Sequence, residues 1–126
     1  MPALPNSVRR EVFKSLMQGF KASSKAAPDS RWAWLEAAHV VGQSLMLPHM
    51  ASHVAMLTFA IRNRSVREAA GQLIRLMLTP LGHLSGRLPA GNTGRATVSA
   101  FAPMPVSPRL QQLIEQAVAA ENTGSD

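Results

Sequence analysis

The 126-residue sequence predicts an all-α fold, a single domain of about five helices. Three observations predict it. Apolar residues recur three and four apart in five separate segments, the spacing of a helix face. Prolines, glycines and small polar residues gather between those segments. One segment opens on a serine followed three residues later by a glutamate, a helix-start signature.

The first segment runs from about Ser7 to Ala22, with Val8, Val12, Leu16 and Phe20 in one stripe and Phe13 and Met17 beside it. Asn6 or Ser7 is the expected cap. Small residues from Ser23 to Ser30 form a linker ending in Pro28–Asp29. Segment two follows, capped by Asp29 or Ser30, with Trp32, Leu35, His39 and Gly42 on one face and Ala38 beside them. It should end near Leu47, because the residue before Pro48 is pushed out of the α region. Pro48 then suits the first position of segment three, where its missing N–H costs nothing. Met50, Val54, Leu57 and Ile61 form that segment's inward stripe, widened by Ala51, Ala55 and Phe59, up to about Asn63.

Segment four opens with Ser65-Val66-Arg67-Glu68, a capping box. Ala69, Ala70, Leu73, Ile74 and Met77 supply its apolar face. The short Asn63–Arg64 connection folds segments three and four into an antiparallel hairpin. From residue 79 to 106 the periodicity gives way to four glycines and four prolines, which predicts a long loop, pinned by Val98, Ala100, Phe101 and Met104. A last helix starts at Ser107–Pro108 and turns Leu110, Leu113, Ile114, Ala117 and Val118 inward. Residues 1–6 and 122–126 are expected to be flexible.

Composition excludes several kinds of chemistry. There is no cysteine, hence no disulfide, thiolate metal site or thiol nucleophile, which fits a cytoplasmic location. Charged residues are 16%, against about 25% in ordinary domains, so the surface is either sparsely charged or partly covered by a partner. The net charge is +6, but the basic residues are dispersed apart from Arg9–Arg10 and Arg62, Arg64 and Arg67. With 5% aromatics and no helix-turn-helix spacing, a nucleic-acid partner is not indicated. No secretory signal and no run of about 18 apolar residues is present, so no membrane partner is expected.

Segments three and four resemble one degenerate tetratricopeptide repeat, through Ala60, Glu68–Ala69, Leu73 and Pro80. His53 and Arg64 stand where that repeat carries its tryptophan and turn glycine. A wider resemblance runs through Leu35-Glu36-Ala37-Ala38-His39-Val40-Val41-Gly42-Gln43, Pro48-His49 with His53, and Gly71-Gln72-Leu73. It continues through Gly91-Asn92-Thr93-Gly94, Val98-Ser99-Ala100-Phe101 and Pro103-Met104-Pro105. Together these strings, spread over residues 8 to 115, resemble a bacterial family known as domain of unknown function 3703. Arg95 and Thr97 depart from the glycine and asparagine expected of it. The resemblance implies a bacterial origin and a small helical fold, and no activity.

The candidate site comes from the histidines. His39, His49 and His53 lie within fifteen residues. His49 and His53 are four apart and share a helix face; Glu36 and His39 are three apart and share a face of the preceding helix. If the two helices turn back near Pro48, His39 and His53 stand at one level, with His49 nearer the turn and Glu36 deeper. Glu36, His39, His49 and His53 are therefore the expected metal ligands. Imidazole without thiolate suits Zn²⁺, Fe²⁺, Ni²⁺ or Cu²⁺. Met50 stands where a metalloprotease helix carries its glutamate, so zinc proteolysis is not indicated. The competing reading makes these histidines packing residues, each with one satisfied hydrogen bond. His83 is expected at the surface.

Gly91-Asn92-Thr93-Gly94, with Arg87 and Arg95 near it, could present N–H groups to an anion, but reads first as a tight turn. No nucleophile elbow or paired carboxylates point to catalysis, and no catalytic residue is assigned. Three readings remain: a metal-binding protein, a metal-dependent enzyme lidded by residues 91–94, or a non-catalytic tetratricopeptide-like module that docks a protein partner. The oligomeric state is left open.

Overall fold

The computed structural model describes residues 3–86 and 88–124. Met1, Pro2, Arg87, Ser125 and Asp126 lie outside the described residues. Five helices and no strand occur among those described: α1 (Asn6–Ala22), α2 (Pro28–Gly42), α3 (Met46–Arg62), α4 (Val66–Ser85) and α5 (Pro108–Thr123). No helix is long and apolar enough to cross a membrane.

The core has two parts. Val12, Phe13 and Leu16 of α1 pack with Ala37, Ala38 and Val41 of α2 and with Leu110 and Ile114 of α5. Trp32 and Leu35 of α2 pack with Met56, Phe59 and Ala60 of α3. Helix α2 thus lies at the centre, and its buried side chains surround most of its circumference. The stripes predicted for α1, α2 and α5 are the ones buried.

Helix boundaries shift where local chemistry overrides the expected stop. Helix α2 ends at Gly42, five residues before Leu47, and the chain turns through residues 43–45. Pro48 falls within the first turn of α3, where the N–H groups have no partner within the helix in any case. The expected caps are not used: Pro5 and Ala27 occupy the N-cap positions of α1 and α2. The loop expected from residue 79 begins later, because α4 continues through Pro80 to Ser85. Pro80 removes one internal hydrogen bond. Before it the buried Thr79 hydroxyl donates back to the Arg75 carbonyl, and the helix closes at Gly86, whose φ of 72° suits a C-terminal glycine and whose N–H reaches the Gly82 carbonyl.

The larger departure concerns which side of α4 faces in. The buried residues of α4 are Glu68, Gln72 and Thr79, all polar. Leu73, Ile74 and Met77, expected in the core, are more than half exposed. Val54 and Ile61 of α3 are likewise exposed, while His49, Ser52 and His53 are buried. Ser65 makes no side-chain cap bond, and Glu68 points into the protein instead of back to the helix start.

Candidate metal centre

Helix α2 and helix α3 run antiparallel across the 43–45 turn and bring three imidazoles to one point. The Nε2 atoms of His39 and His49 are 3.1 Å apart, those of His39 and His53 3.2 Å, and those of His49 and His53 3.2 Å. All three residues are buried, at 2%, 6% and 2% exposure. The nearly equilateral triangle is the face of a coordination polyhedron. An ion with bonds of ~2.0–2.1 Å to each nitrogen would stand about 0.9 Å above its plane.

The far side of each ring is occupied. His39 Nδ1 donates to the carbonyl oxygen of Asn92 at 2.7 Å. His53 Nδ1 donates to Gln72 Oε1 at 2.7 Å. The orientation of that amide is fixed, because Gln72 Nε2 donates to Glu68 Oε1 at 3.1 Å and to the Gly94 carbonyl at 2.9 Å. These partners assign the proton of both rings to Nδ1. The Nε2 atoms of His39 and His53 therefore direct lone pairs at each other. His49 Nδ1 lies 3.0 Å from His83 Nε2, so His83, expected at the surface, supports the third imidazole. With all rings neutral, at most one proton can lie among three nitrogens that all want one.

Protonation is not the remedy the surroundings favour. Burial lowers the His39 pKa well below the usual histidine value, and the neighbouring His53 and His49 lower it further. Burial, with His53 and His83 beside it, brings His49 down to about 3. Burial lowers His53 as well, against the pull of its bond to Gln72. The trio is kept neutral, the form in which imidazole binds a metal ion.

A second tier holds the first. Asn92 is 1% exposed; its Nδ2 donates to the carbonyls of Ser99 and Ala102, and its Oδ1 accepts from the Gly94 N–H. The backbone turn lies at residues 89–92, where the Asn92 N–H donates to the Pro89 carbonyl, and the Asn92–Gly94 bond extends it to position His39; Arg87, expected near it, lies outside the described residues. Phe101, expected to pin the loop, is 73% exposed, so polar bonds do that work. Glu68 Oε1 accepts from Gln72, from Arg95 Nε at 2.9 Å and from the Ala96 N–H at 2.9 Å. Burial pushes its pKa up, but these bonds outweigh it and the carboxylate is held below the usual range.

Glu36, the fourth expected ligand, is engaged elsewhere. Its carboxylate pairs with Arg95 at 3.1 Å, and that guanidinium lies 3.8 Å over the Trp32 ring. The structure brings His39, His49 and His53 together as a possible ion-holding group and leaves Glu36 out of it. What the sequence reading missed, apart from His83, is Gln72, Asn92 and Gly94. The legible signal was on α4, where Glu68, Gln72, Arg75, Thr79 and His83 recur four, three, four and four apart, one polar stripe opposite the apolar one.

The trio faces a cavity of about 620 Å³, whose other walls include Thr79, Leu81, Leu84 and Phe101. An ion held by three protein nitrogens keeps at least one coordination position open, and that position would face the cavity.

Comparison with known proteins gives a family and nothing closer. The family model described as "Protein of unknown function (DUF3703)" matches residues 7–114, and the chain belongs to that family. No curated protein and no solved structure matches it.

Proposed function

We propose that this member of the DUF3703 family binds one divalent transition-metal ion through the Nε2 atoms of His39, His49 and His53. One observation carries the reading: three buried, neutral imidazoles turn their Nε2 atoms to a common point while hydrogen bonds occupy the opposite nitrogen of each ring. Hydrogen-bonded outer nitrogens are the usual second tier of a histidine metal site. A purely packed histidine cluster has no need to place lone pairs 3.2 Å apart. The donor set suits Zn²⁺, Fe²⁺, Ni²⁺ or Cu²⁺.

Three neutral ligands leave the full charge of the ion in place, so water in the open position would be acidified, to about pKa 7 for zinc in such sets. The cavity gives such a water, or a small donor molecule, room to complete the coordination. Metal handling is the function we assign.

The test is metal content of the purified chain, followed by uptake of Co²⁺, whose visible spectrum reports its coordination. About one equivalent is expected for the wild type. His39→Ala and His53→Ala should lose it while keeping the helical circular dichroism. A wild-type protein that arrives without metal and takes up none at micromolar concentrations overturns the reading.

A further inference from the structure

The outward faces of α3 and α4 are apolar, and no other face among the described residues resembles them. Of the eleven large apolar side chains exposed among the described residues, four belong to α3 and six to α4. The exposures are high: Leu47 78%, Val66 81%, Met77 72% and Leu84 86%. The sum is on the order of 1,000 Å², above the few hundred Å² of contiguous apolar surface a monomer usually shows and above the roughly 800 Å² each partner buries in a standard interface.

The spacing identifies what fits there. On α4, residues 66, 70, 73, 77, 80 and 84 alternate four and three apart, the seam of a helix that packs along another helix. Ile74 and Leu81 widen the seam to the side, which suits contact with two helices. On α3, Leu47, Val54 and Ile61 are each seven apart and form a single line. The hydrogen bonds His53–Gln72 and His49–His83 set the register of the pair. They put Val54 level with Leu73 and Met77, and Leu47 level with Leu81 and Leu84. Two helices offering one broad apolar face form half of a four-helix bundle.

We infer that this face is covered by the same face of a second copy of the chain, related by a two-fold axis with α4 against α4 in antiparallel orientation. A two-fold contact lets one patch serve as both halves of the interface. The orientation follows from charge. Arg62, Arg64 and Arg67 all lie at the α3–α4 turn, so parallel pairing would crowd both sets of guanidinium groups at one end, and antiparallel pairing sends them to opposite ends. The low charged fraction of the chain agrees with a surface partly covered. The same contact bears on the cavity: Leu81 and Leu84 belong both to the seam and to the walls around the histidines, so the second copy would close the mouth of the site. The pairing stands whether or not an ion is bound.

Sedimentation velocity of the full chain from about 1 to 100 µM tests it, with metal content measured on the same samples so that either reading can fail alone. A dimer is expected, and Leu73→Glu or Met77→Glu should weaken association at least 100-fold with unchanged circular dichroism, since both side chains are exposed. The chain lacks cysteine, so single cysteines report the orientation. Met77→Cys, near the middle of α4, should cross-link to its own copy; Val66→Cys, about 25–30 Å from its own copy in the antiparallel pair, should not. Ready self-cross-linking of Val66→Cys overturns the antiparallel arrangement. A wild type that stays monomeric throughout overturns the pairing, and co-sedimentation of that monomer with phosphatidylglycerol-containing vesicles would assign the face to lipid.

Discussion

Replacing Gly94 and Gly86 separately by alanine gives a matched pair of perturbations. Both glycines have positive φ, 82° and 72°. An alanine there costs about 1–2 kcal/mol in backbone strain, offset by about 0.4–1 kcal/mol from the stiffer unfolded chain. The net loss of about 1 kcal/mol should lower Tm by ~3–5 °C in Gly86→Ala, and by more in Gly94→Ala. The two differ in what the new methyl meets. At Gly86 there is nothing within 4 Å; at Gly94 the Cβ would lie 2.6 Å from His39 Cδ2 and 2.9 Å from its Nε2. Contact at about 3.5 Å requires the ring to retreat by ~0.6–0.9 Å. His39 is nearly fully buried, tied to Asn92 at 2.7 Å and within 3.2 Å of both other imidazoles, so a shift of that size disturbs the triangle. Metal geometry tolerates about 0.2 Å. Gly94→Ala should therefore weaken metal binding by ~100-fold or more, about 2.7 kcal/mol, and Gly86→Ala by less than about threefold. Competition against a chromophoric chelator measures both. Equal affinities in the two variants, or wild-type affinity in Gly94→Ala, would refute the assignment of the trio as the binding group.

Gln72→Leu keeps the volume but leaves the buried His53 N–H without an acceptor, which should cost about 1–3 kcal/mol in denaturant unfolding and 10- to 100-fold in metal affinity. Arg95→Met removes the partner of both Glu36 and Glu68 and should destabilise by about 2–3 kcal/mol, with a smaller effect on affinity, since no ligand touches it. Acid should destabilise the metal-free protein through the histidines. The unfolded chain takes up protons near pH 6.5, whereas folded His49 stays neutral down to about 3. Below pH 6.5 the unfolded state binds more protons, so stability falls as pH drops, by ~1.4 kcal/mol per unit for His49 alone and more steeply with His39 and His53. Urea unfolding between pH 7.5 and 5 reads this directly; a flat profile would show that the buried imidazoles do accept protons.

Much of the scaffold was legible because α1, α2 and α5 obey the ordinary rule that the apolar stripe faces in. That His39 would meet His49 and His53 followed from helix spacing and a turn between the two helices, but with the turn at residues 43–45 it is His49, not His53, that lies as far from the turn as His39. Helix α4 escaped because periodicity shows that a stripe exists without showing which side it serves. Ser65 and Glu68 have the spacing of a capping box, yet the glutamate gains more from three donors inside the protein than from the helix start. Glu36 was placed with His39 by its three-residue spacing; what spacing could not reveal was Arg95, 59 positions away, which claims the carboxylate. Asn92 reaches the centre through tertiary contacts that leave no local trace, whereas His83 belonged to the polar stripe of α4.

Helix α4 is fastened to the rest of the molecule chiefly by directional bonds from Glu68, Gln72 and His83, with Ala69 among the few apolar groups that reach the core. Grease tolerates sliding, whereas a ladder of donors and acceptors works in a single register and fails all at once when that register is lost. Such a helix behaves as a latch. In a chain kept monomeric by Leu73→Glu its amides should be among the earliest to exchange with deuterium, whereas pairing of α4 against α4 should protect them, and an ion drawing on His49 and His53 would tighten the very bonds that hold it shut.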